Sequence, residues 1–300
     1  MTVSFFHEGD HRMASYRYRT LIPAKQIGAT INDPQAQVWI FSKPCRDDLD
    51  RLRHGKLIGK TCIVDICDPH YPHAQHYDAM IREAHAVVAP TAWMADLLME
   101  DFHRPITVIT DPYELPTQMP HVNGTRLLWF GHPSNLESLR RVEPLLKDYA
   151  VRVMTDPAHY AGALPWSLDG LWEELTFADI VILPETAPYK SPNRAVEAVR
   201  AGCFVVAEPH PSLRGWPGIW IGNMKEGIAW ANENRVAARQ RVIQSQAYVL
   251  EQHSPERVGN AWKTLTMGYG SISAAGTNPG MAGSTSIKDG PHSMPMSSPM

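Results

Sequence analysis

The chain's 300 residues and its 44% apolar content supply enough material for two buried cores. A formal charge of −3 excludes a chain-wide attraction to nucleic acid and leaves at most a local basic patch. No apolar run approaches the ~20 residues of a membrane span, and the first residues lack the charged start and apolar centre of a signal peptide, so the expected location is the cytoplasm.

In chain order, the first half alternates short apolar runs with polar, helix-forming stretches. Candidate strands are Val3–Phe6, 38–41, 62–66, Ala86–Ala89 and 106–109, a pattern that predicts a parallel sheet. Two of the loops that follow these strands carry chemistry. Residues 7–19, HEGDHRMASYRYR, offer Gly9 for a tight turn, then Ser15, Tyr16, Arg17, Tyr18 and Arg19 as hydroxyls, aromatic faces and guanidinium forks. Residues 65–76, DICDPHYPHAQH, place Asp68 and His70 just past a strand end, where α/β proteins set their ligand groups. Cys67, His70, His73 and His76 recur every three residues and invite a zinc reading, but Pro69 and Pro72 prevent one helix from aligning them. The four cysteines, Cys45, Cys62, Cys67 and Cys203, sit mostly in predicted strands and read as reduced core residues.

Residues 111–124 hold three prolines, a glycine and few apolar side chains, and read as an interdomain linker. Beyond them come candidate strands at 126–130, 151–154, Ile180–Leu183, Phe204–Ala207 and 219–221. The loop FGHPSN after the first of these has Gly131 to admit a ligand to the backbone, and Ser134 or Asn135 to cap a helix. Trp166 to Glu174 reads as packing. No strand exit carries G-x-G-x-x-G or a Walker lysine, which disfavours nicotinamide, flavin and P-loop chemistry. Residues 255–266 predict a helix with Ser254 as cap and an apolar stripe of Val258, Ala261, Trp262 and Leu265. After Gly268 the composition predicts a disordered tail.

The most telling stretch is ADIVILPETAPYKSPNRAVEAVRAGCFVVAEPHPS, residues 178–212, which reads as strand, loop, helix, strand. Ser191 suits an N-cap, Pro192 the first helical position, and Gly202 the helix end. Lys190, Arg194 and the free N–H groups of Asn193 and Arg194 converge on one helix N-terminus, a layout that holds a diphosphate. Glu197 follows one turn in, within reach of a ribose.

Glu197, Ala198, Ala201, Gly202, Val205 and Val206 resemble the second half of the donor-site motif of GT-B glycosyltransferases, the retaining family 4-like group in particular. The position of that motif's first glutamate is Tyr189 here. The resemblance spans roughly residues 1–266. It implies an α/β fold of two Rossmann-like domains whose parallel sheets face across a cleft: an acceptor domain at 1–112, a linker at 113–124, a nucleotide-sugar domain at 125–253, and a helix at 254–267 crossing back, with a tail at 268–300. It implies transfer of a hexose, by default glucose from UDP-glucose, to an acceptor hydroxyl on a glycan, a lipid-linked sugar or a hydroxylated DNA base. Glu197 would bind the ribose, with Gly131, His132, Ser134, Lys190, Asn193 and Arg194 around the donor. Asp68 or His70 would face the reacting carbon, and Ser15, Tyr16, Arg17 and Arg19 the acceptor. The cations and the helix N-terminus would stand in for a metal, leaving the nucleotide sugar as co-substrate and no cofactor. A non-catalytic binding protein and a sugar-nucleotide epimerase on the same fold are the alternatives.

Overall fold

The computed structural model describes residues 1–274. Two six-stranded, wholly parallel sheets organise it. The first contains β1 (Val3–Phe6), β2 (Thr30–Ile31), β3 (Val38–Ser42), β4 (Thr61–Asp65), β5 (Ala86–Ala89) and β6 (Thr107–Val108), in the order β2-β1-β3-β4-β5-β6. The second contains β7 (Leu127–Phe130), β8 (Val151–Thr155), β9 (Leu164–Pro165), β10 (Ile180–Leu183), β11 (Phe204–Ala207) and β12 (Trp220–Ile221), in the order β12-β11-β10-β7-β8-β9. The central strands are buried along their whole length, VWIFS and TCIVD among them, because helices cover both faces and every position must be apolar or hydrogen-bonded. The edge strands β2 and β9 escaped the sequence reading. Two residues are too few to show alternation.

In the first domain, Phe6, Trp39, Phe41, Cys62 and Val64 face helices Asp48–Leu57 and Gln75–Glu83. Phe5, Ile40, Ile63 and Val88 face the other way, and Val258 and Trp262 of the last helix complete that side of the core. Trp262 is fully buried and meets Phe5 edge-on at 5.3 Å between ring centres. This helix, Pro255–Ala274, runs past Gly268, so residues 268–274 continue a helix where the composition predicted a tail; residues 275–300 lie outside the described residues. In the second domain, Leu128, Phe130, Val181 and Val205 pack under helices Leu168–Phe177 and Asn193–Arg200, while Trp129, Ile182 and Phe204 pack under Leu136–Val142, Met224–Glu233 and Arg235–His253. Among the described residues no helix is long and apolar enough to cross a membrane.

Candidate functional site

The second sheet reverses its winding between β7 and β10, and a doubly wound sheet receives its ligand in the crevice beyond the strand ends at such a reversal. Residues 131–135 and the loop 184–192 flank that crevice. The loop leads into helix Asn193–Arg200, whose N-cap is Pro192 with no side-chain cap. Ser191 therefore does not cap it as the sequence suggested; its hydroxyl bonds to Asn193 Oδ1 at 3.0 Å. The first N–H groups are left for solvent or a ligand. At the other end Gly202 takes φ +88°, and a Cβ there would fall 2.4 Å from the Met119 carbonyl oxygen, so only glycine fits.

Arg194 stands half-buried on the first turn of this helix. Its Nη1 donates to the Phe130 carbonyl at 3.4 Å, and its guanidinium lies 5.8 Å from the Trp129 ring centre. Gly131 keeps the approach open, since a Cβ there would come 3.2 Å from Trp129 and 3.5 Å from that Nη1. No carboxylate among the described residues pairs with Arg194, and burial alone pulls its pKa down to about 10. A guanidinium desolvated in this way carries a charge that no carboxylate of the described chain compensates.

Two copies of the tripeptide His-Pro-Ser flank the same loop: His132 to Ser134 beyond β7, and His210 to Ser212 beyond β11. The sequence reading passed over this repeat, which is the signal that would have found His210. In each copy the histidine caps a 3-10 turn, its Nδ1 accepting the serine N–H at 3.2 Å, and the serine hydroxyl lies 3.0 Å away in the first and 2.7 Å in the second. The cap of the first turn is thus His132, not Ser134 or Asn135. An Nδ1 that accepts must leave the proton on Nε2. His210 gives that proton to the Ala187 carbonyl at 3.0 Å and so fastens the loop bearing Lys190. Burial, chiefly, holds the His210 pKa below its ordinary value and keeps the ring neutral. His132 is exposed on the rim.

Lys190 reaches across to the first domain, its Nζ 2.6 Å from Asp68 Oδ1. Lys43 Nζ and His70 Nε2 lie 3.7 and 3.8 Å from Asp68 Oδ2. The two candidate catalytic side chains and the lysine of the 184–192 loop therefore meet at one point. Burial would raise the Asp68 pKa, but Lys190 and Lys43 outweigh it and hold the carboxyl below the usual range. His70 sits half-exposed, its pKa lowered mainly by burial and by the two lysines despite Asp68, so its imidazole is neutral at neutral pH.

Arg17 and Arg19 require a correction: both are interior, not on an acceptor surface. The helix Ala14–Tyr16 passes into a π-helical segment, Arg17–Leu21, and the wide turn buries Arg17, Tyr18, Arg19 and Thr20 in succession before helix Ile22–Ile27 resumes. Arg19 donates to both Asp65 oxygens at 2.9 and 2.7 Å, to Asp111 Oδ1 at 2.9 Å and to the Ile109 carbonyl at 2.6 Å. Asn193 Nδ2 donates to the other Asp111 oxygen at 2.8 Å, tying its side chain to the linker. Arg17 clasps Glu114 at 2.8 Å and lies over the Trp166 ring. Ser15 and Tyr16 are half-buried beside His7, with Ser15 Oγ 3.5 Å from its Nε2 and the Tyr16 ring edge-on to it.

Glu197 is also placed differently from the expectation of an open cleft. It is 2% exposed; Tyr18 Oη and Glu114 N donate to Oε1 at 3.0 Å each, and Leu115 N donates to Oε2 at 3.2 Å. It sits on the inward face of its helix, so it joins the first domain and the linker to the second. A ribose has no access to it in this arrangement. Burial pushes its pKa up to about 7 from an unfolded value near 4.5. The stability this group contributes is therefore full below pH ~4.5 and lost as pH rises through ~7. We expect Glu197→Gln to flatten the stability profile between pH 5 and 8, as urea unfolding at those pH values will show; an unchanged slope would remove the group from the linkage.

Among the described residues no three His, Cys, Asp or Glu side chains converge as metal ligands. No protein-family model matches the chain. No curated protein matches its sequence. Solved structures do match its fold. Anabaena HepE in complex with UDP-glucose superposes with a TM-score of 0.71 at 11% identity, over 89% of this chain and 100% of HepE. An α1,3-fucosyltransferase gives 0.54 at 9% identity, over 89% and 90%. A TarM variant from S. aureus, in complex with fondaparinux, α-GlcNAc-glycerol and UDP, gives 0.55 at 14% identity, over 76% of this chain and 55% of TarM. With its two parallel six-stranded sheets, the chain has the GT-B fold.

Proposed function

We propose that the protein transfers a sugar from a nucleoside diphosphate to an acceptor hydroxyl, with a UDP-hexose, glucose by default, as donor. The observation that carries this reading is Arg194: an unpaired, half-buried cation at an uncapped helix N-terminus, at the winding reversal of a sheet whose fold HepE uses with UDP-glucose bound. Gly131, His132 and Ser134 border the same crevice. The acceptor oxygen bonds to the anomeric carbon as the bond from that carbon to the diphosphate oxygen breaks, and the electron pair leaves with the nucleoside diphosphate. The acceptor's proton passes to His70, which stands 3.8 Å from Asp68, in an inverting reaction, or to the departing phosphate in a retaining one. Arg194, and Lys190 once it turns from Asp68, neutralise the charge that grows on the leaving group without a metal. Glu197 is no longer assigned to the ribose.

The test is thermal shift and calorimetry with UDP, GDP, ADP and NAD, followed by product mass after incubation with nucleotide sugars in EDTA. UDP binding with metal-free turnover is the expected result. Preference for NAD, or strict dependence on manganese, would overturn it. UDP binding without turnover would leave the non-catalytic alternative.

A further inference from the structure

The first domain holds a cavity of about 940 Å³, lined by Phe6, Glu8, Trp39, Asp50, Arg51 and His54 among others. The donor chemistry above does not use it. Its position follows from topology: the first sheet reverses its winding between β1 and β3, and the cavity lies between the β1 exit and helix Asp48–Leu57, which follows β3. Its rim stands on the same sheet edge as Asp68, since His7 follows β1 and Asp68 follows β4 in one parallel sheet. Lys43, which follows β3 between them, lies 3.7 Å from Asp68 Oδ2.

The walls are preorganised. Asn32, held at φ +55°, accepts from the His7 N–H at 3.1 Å and donates to the His7 carbonyl at 3.3 Å; His7 Nδ1 in turn accepts from Gly9 N at 2.7 Å. These bonds fix the rim in the absence of a ligand. The floor is aromatic, from Phe6 and Trp39, whose ring centres are 5.2 Å apart. Glu8 and Asp50 stand exposed in the cavity as acceptors. Arg51 is shared between Asp48 at 2.9 Å and Glu8 at 3.7 Å, so it adds directed donors without net positive charge.

Acceptors, donors and an apolar floor in one ~1,000 Å³ space suit a ring that bears hydroxyls. They do not suit phosphate. A phosphate here would meet Glu8 and Asp50, and the arginines that could have received it, Arg17 and Arg19, are spent on Glu114, Asp65 and Asp111. We infer that this cavity is the acceptor site and that it takes an uncharged saccharide rather than a phospholipid-linked sugar or a nucleic acid. This rests on the transfer reading above, with the saccharide hydroxyl as the attacking oxygen.

The experiment is saturation-transfer NMR with methyl hexosides and neutral disaccharides on the full chain, with and without UDP, beside an oligonucleotide carrying 5-hydroxymethylcytosine and vesicles containing a polyprenyl-phosphate sugar. Asp50→Asn, Glu8→Gln and His54→Ala are exposed positions outside the donor crevice. The expected result is saccharide binding weakened about tenfold or more by the Asp50 and Glu8 changes, from the loss of charge-assisted hydrogen bonds, with UDP affinity unchanged. Saccharide affinity unaffected by all three changes, no saccharide binding by the wild type, or engagement of the oligonucleotide or the vesicles alone would each overturn the assignment. Because the readout is binding, a wild type that takes saccharide but not UDP would refute the transfer reading and leave the cavity's ligand class standing.

Discussion

Replacing Arg194 by Met is expected to raise the melting temperature and to lower UDP affinity by at least tenfold. The two effects have one origin. A guanidinium desolvated with no carboxylate partner destabilises the free protein, and the same unspent charge meets the diphosphate when donor binds. Loss of a charged hydrogen bond costs about 1.5–3 kcal/mol, hence the factor of ten or more. Met keeps the aliphatic volume against Trp129, so packing is retained. Calorimetry with UDP and differential scanning on the same preparations check both. A variant that lost stability while keeping UDP affinity would make Arg194 a structural residue and withdraw the donor-site assignment.

The second large effect is expected at Arg19. Arg19→Met leaves Asp65 and Asp111 facing each other in the interior, with side chains at most 5% exposed, and removing one member of a buried ionic cluster costs about 3–5 kcal/mol. Urea unfolding should show that loss. Adding Asp65→Leu to Arg19→Met should recover part of it, since removing the stranded charge is worth more than leaving it. Equal stability of Arg19→Met and wild type would mean that the cluster contributes nothing to the fold's stability.

The strands of the two sheets were legible in the sequence because parallel strands covered on both faces must be continuously apolar, as Ile180–Leu183 and Phe204–Ala207 are. The helix after β10 was legible too, although its start was misjudged: Pro192 takes the cap position, where the sequence favoured serine. Charged residues were harder. The fate of Arg19 is decided by Asp65 and Asp111, 46 and 92 residues away, and that of Glu197 by Tyr18, 179 residues away. Nothing in the local string RYRT distinguishes a solvated guanidinium from one locked to a distant carboxylate. Lys190 and Arg194 looked alike as diphosphate ligands, yet Lys190 has found Asp68 and Arg194 has found no carboxylate.

The last helix also fixes an order of events in synthesis. Trp262 and Val258 fill one side of the first domain's core, against Phe5, Ile40 and Ile63, so the half of the protein that leaves the ribosome first cannot close until nearly the whole described chain has followed it. The second domain draws its two cores from residues 115–249 and meets no such delay. The apolar face of β1, β3 and β4 is therefore covered only in part, by Ala24 and Ile27, throughout translation of the second domain, which makes the amino-terminal half the part of the nascent chain most in need of chaperone cover.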